Sequence, residues 1–175
     1  MGKINIKKSV YNLSALSIFT ALAITLSILE GLIPMPFLPP FMKLGLSNIA
    51  VMLAAVNISS PAALLIAVLK GIFAAFTRGV TAGIMSLAGG VISSLLMAVL
   101  LRSKKQPFGM IGIGIIGGCS HNIGQLAVAA LLSSPAVFSF TPFLLIIGGL
   151  SGALTGVVLW ILLPVIEKLS FYKIY

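Results

Sequence analysis

The sequence predicts an all-α polytopic membrane protein: a six-transmembrane-helix bundle forming a single domain over residues 1–175. Three observations carry the prediction. Of 175 residues, 59% are hydrophobic and 7% are charged, with a mean hydropathy of +1.23. Soluble domains carry roughly 25% charged residues, and the eleven Lys or Arg and two Glu here cannot cover a soluble surface. The apolar residues gather into six runs broken by proline, glycine and charge. The basic residues between those runs are strongly biased to one side, as membrane topology requires.

The first span is read at 13–33, after Lys3, Lys7 and Lys8, with Glu30 near its far end. A basic leader before an apolar run is also the pattern of a signal peptide. This run is long for that, and no small-residue cleavage site follows it, so it reads as a membrane helix. The next stretch, 31–43, holds Pro34, Pro36, Pro39 and Pro40 and excludes a regular helix. Phe37, Leu38 and Phe41 keep it apolar, the composition of a loop that dips into the membrane or caps a cavity.

Two shorter runs follow at 44–58 and 61–77, joined by a tight turn at Asn57–Pro61, with Pro61 suited to a helix first turn. At ~1.5 Å per residue each is marginal for a ~30 Å hydrocarbon core. They are read as two short spans in preference to a re-entrant pair. Full spans follow at 80–101, 108–132 and 142–166. Arg102, Lys104, Lys105 and Pro107 separate the first two of these, and an uncharged loop between Pro135 and Pro142 precedes the last.

Six spans place both termini on one side. Lys3, Lys7, Lys8, Arg102, Lys104, Lys105, Lys168 and Lys173 share that side, Lys43 and Arg78 take the other, and Lys70 lies within a span. The positive-inside rule then sets both termini in the cytoplasm, across a bacterial cytoplasmic membrane. Topology thus accounts for most of the +9 net charge, and nucleic acid is not an expected partner.

Several chemistries are excluded by residue type. There is no Asp, so Glu30 and Glu167 are the only acids and no carboxylate cluster can hold Mg²⁺ or Ca²⁺. One Cys and one His cannot form a zinc or iron–sulfur site within one chain. Gly112–Gly117 matches G-x-G-x-x-G but lies inside an apolar span with no acid before Glu167, so dinucleotide binding is discarded. Gly118-Cys119-Ser120-His121-Asn122 lacks the last glycine of a nucleophile elbow, and adjacent Ser120 and His121 point different ways on a helix. No P-loop motif occurs. The chain is read as a non-enzyme without cofactor or metal.

Lipid provides no hydrophobic drive between helices, so small residues must allow close approach. They recur at four-residue spacing: Ser17, Ala21 and Thr25 in the first span; Ala82, Ser86, Gly90, Ser94 and Ala98 in the fourth; Gly114 and Gly118 in the fifth; Gly148, Gly152 and Gly156 in the sixth. These read as packing faces. The first-span stripe has a second reading, contact with a partner protein.

Ionisable residues in a bilayer are functional candidates by default. Glu30, Lys43 and Arg78 fall at the outer ends of the first three spans, Asn48 about one turn below Lys43, and Lys70 two turns below Arg78. Together they make an outward group suited to an anionic ligand. Lys43 and Arg78 also fit snorkelling to the headgroups, and Lys70 also fits a structural pair with Glu30. His121 and Gln125 share a face of the fifth span near mid-membrane, and Asn122 adjoins it. This trio suits either ligand binding or interhelical hydrogen bonds.

Four strings carry a family resemblance: Glu30-Gly31-Leu32-Ile33-Pro34, Lys43-Leu44-Gly45-Leu46-Ser47-Asn48, Ser86-Leu87-Ala88-Gly89-Gly90 and His121-Asn122-Ile123-Gly124-Gln125. In this order, over nearly the whole chain, they resemble the Gx transporter family, also labelled heptaprenyl diphosphate synthase component I. The six-span layout is similar to the substrate-binding S-components of energy-coupling-factor (ECF) transporters. The resemblance implies Glu30, Lys43, Asn48, His121, Asn122 and Gln125 as site positions. It also implies a membrane coupling protein and ATPases as partners, or, under the second label, a soluble prenyl synthase subunit. Prenyl diphosphate synthases hold Mg²⁺–diphosphate on Asp-rich motifs, so a chain without Asp is at most an accessory subunit of one. The expected function is therefore S-component-like binding and transport of a small anionic, isoprenoid or cofactor-type solute. The alternative is a non-catalytic membrane subunit of heptaprenyl diphosphate synthase or of a quinone or electron-transfer pathway.

Overall fold

A computed structural model describes residues 6–33, 45–102 and 108–169. Lys43, the Pro34–Pro40 loop, Lys104 and Lys105 lie outside the described residues. Among the described residues six α-helices form: α1 Ile6–Leu32, α2 Asn48–Asn57, α3 Ser60–Arg78, α4 Val80–Arg102, α5 Gly109–Leu132 and α6 Thr141–Leu169, the last preceded by a 3-10 helix at Pro135–Phe140. In a bilayer this follows from the backbone, because each N–H and C=O must find its partner within the helix.

Local signals set the helix ends. Ser59 has an extended backbone and its Oγ accepts from the Ala62 N–H at 3.3 Å, while Pro61 takes the first turn of α3. Gly79 separates α3 from α4 with φ +94°, a conformation that costs any other residue strain. Arg78 and Arg102 occupy the last turns of α3 and α4, where the helix dipole favours a cation.

Among the described residues five segments are long and apolar enough to cross a membrane: Ser9–Leu32, Ser60–Arg78, Val80–Arg102, Gly109–Leu132 and Pro135–Ile166. The second helix is shorter than the span read for it at 44–58. Its ten residues rise about 15 Å, half of a ~30 Å core. The physical reason is its place in the bundle. It touches all five other helices, and Ala50, Val51, Met52, Leu53 and Ala54 are all buried. A helix that is apolar on every side belongs inside. Its residues form an apolar floor with Leu16, Phe19 and Ala23 of α1, Met97 of α4, Ile113 of α5 and Leu159 of α6.

Among the described residues α3, α4, α5 and α6 pack in chain order as successive neighbours, and α1 packs on α2 and α3 alone. The small-residue faces form the expected seams. A Cβ on Gly118 would stand 2.1 Å from Gly148 O, and one on Gly114 would stand 2.2 Å from Gly152 O. Backbone thus meets backbone between α5 and α6. Gly124 of α5 and Gly89 of α4 also approach closely, with a Cβ on Gly124 2.9 Å from Gly89 Cα. On α1 the buried face carries Ala23, Ser27 and Glu30, whereas Ser17, Ala21 and Thr25 are exposed on the outside.

Candidate functional site

Above the apolar floor the bundle holds a narrow polar cavity with room for about one water molecule. Four helices each supply two lining residues, at spacings that put both on one face. These are Ser27 and Glu30 from α1, Lys70 and Arg78 from α3, Ala82 and Ser86 from α4, and His121 and Gln125 from α5. The turn before α2 adds Gly45 and Ser47.

Among the described residues Lys70 is the deepest cation, 2% exposed. Its Nζ donates to Ser47 Oγ at 3.0 Å and to Asn48 Oδ1 at 3.1 Å. A buried ammonium needs such partners, because desolvation otherwise costs several kcal/mol. Asn48 therefore positions Lys70 from outside the cavity wall. Glu30 accepts from the Gly45 N–H, a bond that ties the end of α1 to the turn that starts α2. Gly45 has φ +86°, and a Cβ there would approach Asn48 Nδ2 to 3.2 Å. Only glycine fits this turn without strain. Arg78 stands at the rim, with Nη2 donating to Ser27 Oγ at 3.5 Å.

The His/Asn/Gln trio divides. His121 and Gln125 line the cavity and are 3% and 4% exposed. His121 packs on Gly89, where an added Cβ would stand 2.9 Å from Nδ1. Among the described residues His121 Nδ1 and Gln125 Oε1 are buried with no hydrogen-bond partner. Asn122 turns the other way, to α6, where its Nδ2 donates to Leu144 O at 2.8 Å. It serves the α5–α6 interface and is absent from the cavity wall. The reason is the 100° step per residue, which puts neighbours on a helix on different faces.

Of the residues implicated by sequence, Glu30, Lys70, Arg78, His121 and Gln125 come together. Asn48 stands behind them, Asn122 lies apart and Lys43 is outside the described residues. Ser27, Gly45, Ser47, Ala82 and Ser86 were not singled out as site residues. Ser27 was detectable, since it lies three residues before Glu30 on the same face, and Gly45, Ser47 and Ser86 stand in the resemblance strings. Two cations, one carboxylate, three hydroxyls, an imidazole and an amide suit recognition of a polar or anionic group. Among the described residues no group of three or more His, Cys, Asp or Glu could hold a metal ion.

The fold has a counterpart among solved structures. One described as the S component of a bacterial ECF transporter superposes with a TM-score of 0.72 at 21% identity, covering 91% of this chain and 99% of that one. At that identity the likeness is one of fold. No curated protein matches the sequence. A family model described as heptaprenyl diphosphate synthase component I matches residues 19–162, which takes in every residue lining the cavity. With that match over most of its length, this multi-pass membrane protein belongs to the heptaprenyl diphosphate synthase component I family.

Proposed function

We propose that this protein binds a small anionic solute from outside the cell and delivers it inward, as the substrate-binding subunit of a transporter. One observation carries the reading: Lys70, a cation 2% exposed, is held at mid-helix in a polar cavity rather than reaching the membrane surface. Keeping a charge at that depth is costly, and such residues mark solute pathways. Lys70 and Arg78 attract the anionic group, Lys43 adds to the outward charge, Asn48 positions Lys70, and His121 and Gln125 hydrogen-bond the remainder of the solute. The fold shared with an ECF transporter S component supports this reading.

The positive-inside rule places both termini in the cytoplasm and opens the Glu30–Arg78 end of the bundle outward. The chain has no nucleotide motif, so the motive force comes from partners, a membrane coupling protein with ATPases. The exposed face of Ser17, Ala21 and Thr25 is the contact surface. Purified protein is tested by thermal shift against vitamins, flavins and isoprenoid phosphates. A stabilising hit that the His121→Ala/Gln125→Ala variant loses supports the assignment. No hit, with the variant indistinguishable from wild type, refutes it.

The family description favours a second reading, a non-catalytic membrane subunit of a prenyl diphosphate synthase. A soluble synthase would dock on Arg102, Lys104 and Lys105, beside anionic headgroups. Co-purification with a prenyl synthase supports it, whereas co-purification with a coupling protein and ATPases removes it.

A further inference from the structure

The cavity contains its own anion. Glu30 is 4% exposed and lines the same wall as Lys70 and Arg78. Its carboxylate accepts from the Gly45 N–H, at the turn that leads into the N-terminus of α2. Helix N-termini favour anions, and here the Lys70 ammonium is bonded to Ser47 and Asn48 of the same turn. Glu30 thus occupies a place built for an oxyanion. Among the described residues, Gln125 Oε1 and His121 Nδ1 of the same cavity are buried without hydrogen-bond partners.

Glu30 is also able to leave. It stands two residues before the end of α1, and Gly31, Leu32 and Ile33 beyond it are exposed. Turning that last helical turn carries the carboxylate to the membrane surface, where charge is far less costly than at depth. Among the described residues helix α1 packs on α2 and α3, so its displacement leaves the packing among α4, α5 and α6 untouched.

We propose that Glu30 is a tethered stand-in for the solute: an incoming oxyanion, a carboxylate or phosphoryl group, replaces the Glu30 carboxylate at the Gly45 N–H beside Lys70 and so releases the end of α1. This rests on the reading of the cavity as the solute site. It adds that the solute competes with a residue of the chain, and that binding reaches the exposed Ser17/Ala21/Thr25 face through the same helix.

The test uses full-length protein in neutral detergent, with inorganic phosphate and acetate as probes. Glu30 and Glu167 are the only acidic side chains, so ¹³C-labelled glutamate yields two carboxylate bands by infrared difference spectroscopy, and Glu30→Gln identifies one. The expected result is that a probe shifts the Glu30 band in wild type. In Glu30→Gln the probe binds about tenfold more tightly, as for a competitor that holds the site in about nine molecules of ten. If probes stabilise wild type while the Glu30 band stays still, displacement is refuted but the solute site stands, even where Glu30→Gln binds more tightly through simple charge removal. If neither wild type nor Glu30→Gln responds to either probe, the anionic solute site is refuted together with the displacement. The wild-type spectrum decides the matter if Glu30→Gln fails to fold.

Discussion

The ammonium of Lys70 in the middle of α3 donates to Asn48 Oδ1, the first residue of α2, across 3.1 Å. This bond joins residues 22 apart in the chain and sets the depth at which α2 starts. It makes a charged side chain part of the bundle's construction as well as of its cavity.

Asn48→Ala removes one partner of a buried cation. We expect a loss of about 1–3 kcal/mol in stability, read as a lower midpoint on thermal denaturation in detergent. Solute affinity falls as well, because Lys70 loses its orientation. An unchanged midpoint would show that Asn48 does not hold Lys70.

The α5–α6 seam separates adjacent glycines. A Cβ on Gly148 meets Asn122 Nδ2 at 2.8 Å and Gly118 O at 2.9 Å, whereas one on Gly149 meets only Cys119 Sγ at 3.9 Å. Gly148→Ala therefore destabilises the bundle by about 1–3 kcal/mol through overpacking, and Gly149→Ala leaves it unchanged. Yield of folded protein and thermal midpoint, compared side by side, check this.

Asn122 and Gln125 part company in the same way. Asn122→Ala breaks the bond to Leu144 O at 2.8 Å and costs about 0.6–1.7 kcal/mol, the range for interhelical bonds in membranes. It lowers stability without altering which solute binds. Gln125→Ala removes a cavity group whose Oε1 has no partner to lose among the described residues. It leaves stability near wild type and weakens binding, as measured by titration with whichever compound the thermal-shift screen identifies.

Ala21→Trp places a large ring on the exposed side of α1. The variant is expected to fold with an unchanged thermal midpoint and to lose the proposed membrane partners on co-purification. Retention of a coupling protein by this variant would move the contact surface elsewhere.

Much of the architecture is legible in composition and hydropathy, because a bilayer leaves an apolar backbone little choice but helix. The helices α1, α3, α4, α5 and α6 overlap the runs read for them, and the glycine spacing at Gly114, Gly118, Gly148, Gly152 and Gly156 marks a real seam. The site was legible where a residue was conspicuous in lipid: Glu30, Lys70, Arg78, His121 and Gln125 each stand out by type. Ser27, Ser47 and Ser86 do not, since small hydroxyls are ordinary in membrane helices and a single sequence does not separate a packing serine from a lining one.

The sequence by itself determined a membrane bundle, the course of its long helices and the shortlist of costly polar residues, because these depend on the solvent that lipid provides. Only the tertiary structure decided that α2 is a ten-residue buried plug, that Asn122 turns to α6 while His121 and Gln125 face the cavity, and that Glu30 reaches Gly45. Those outcomes depend on which helix stands opposite each face. That is a matter of close packing between segments distant in the chain, and no local pattern encodes it.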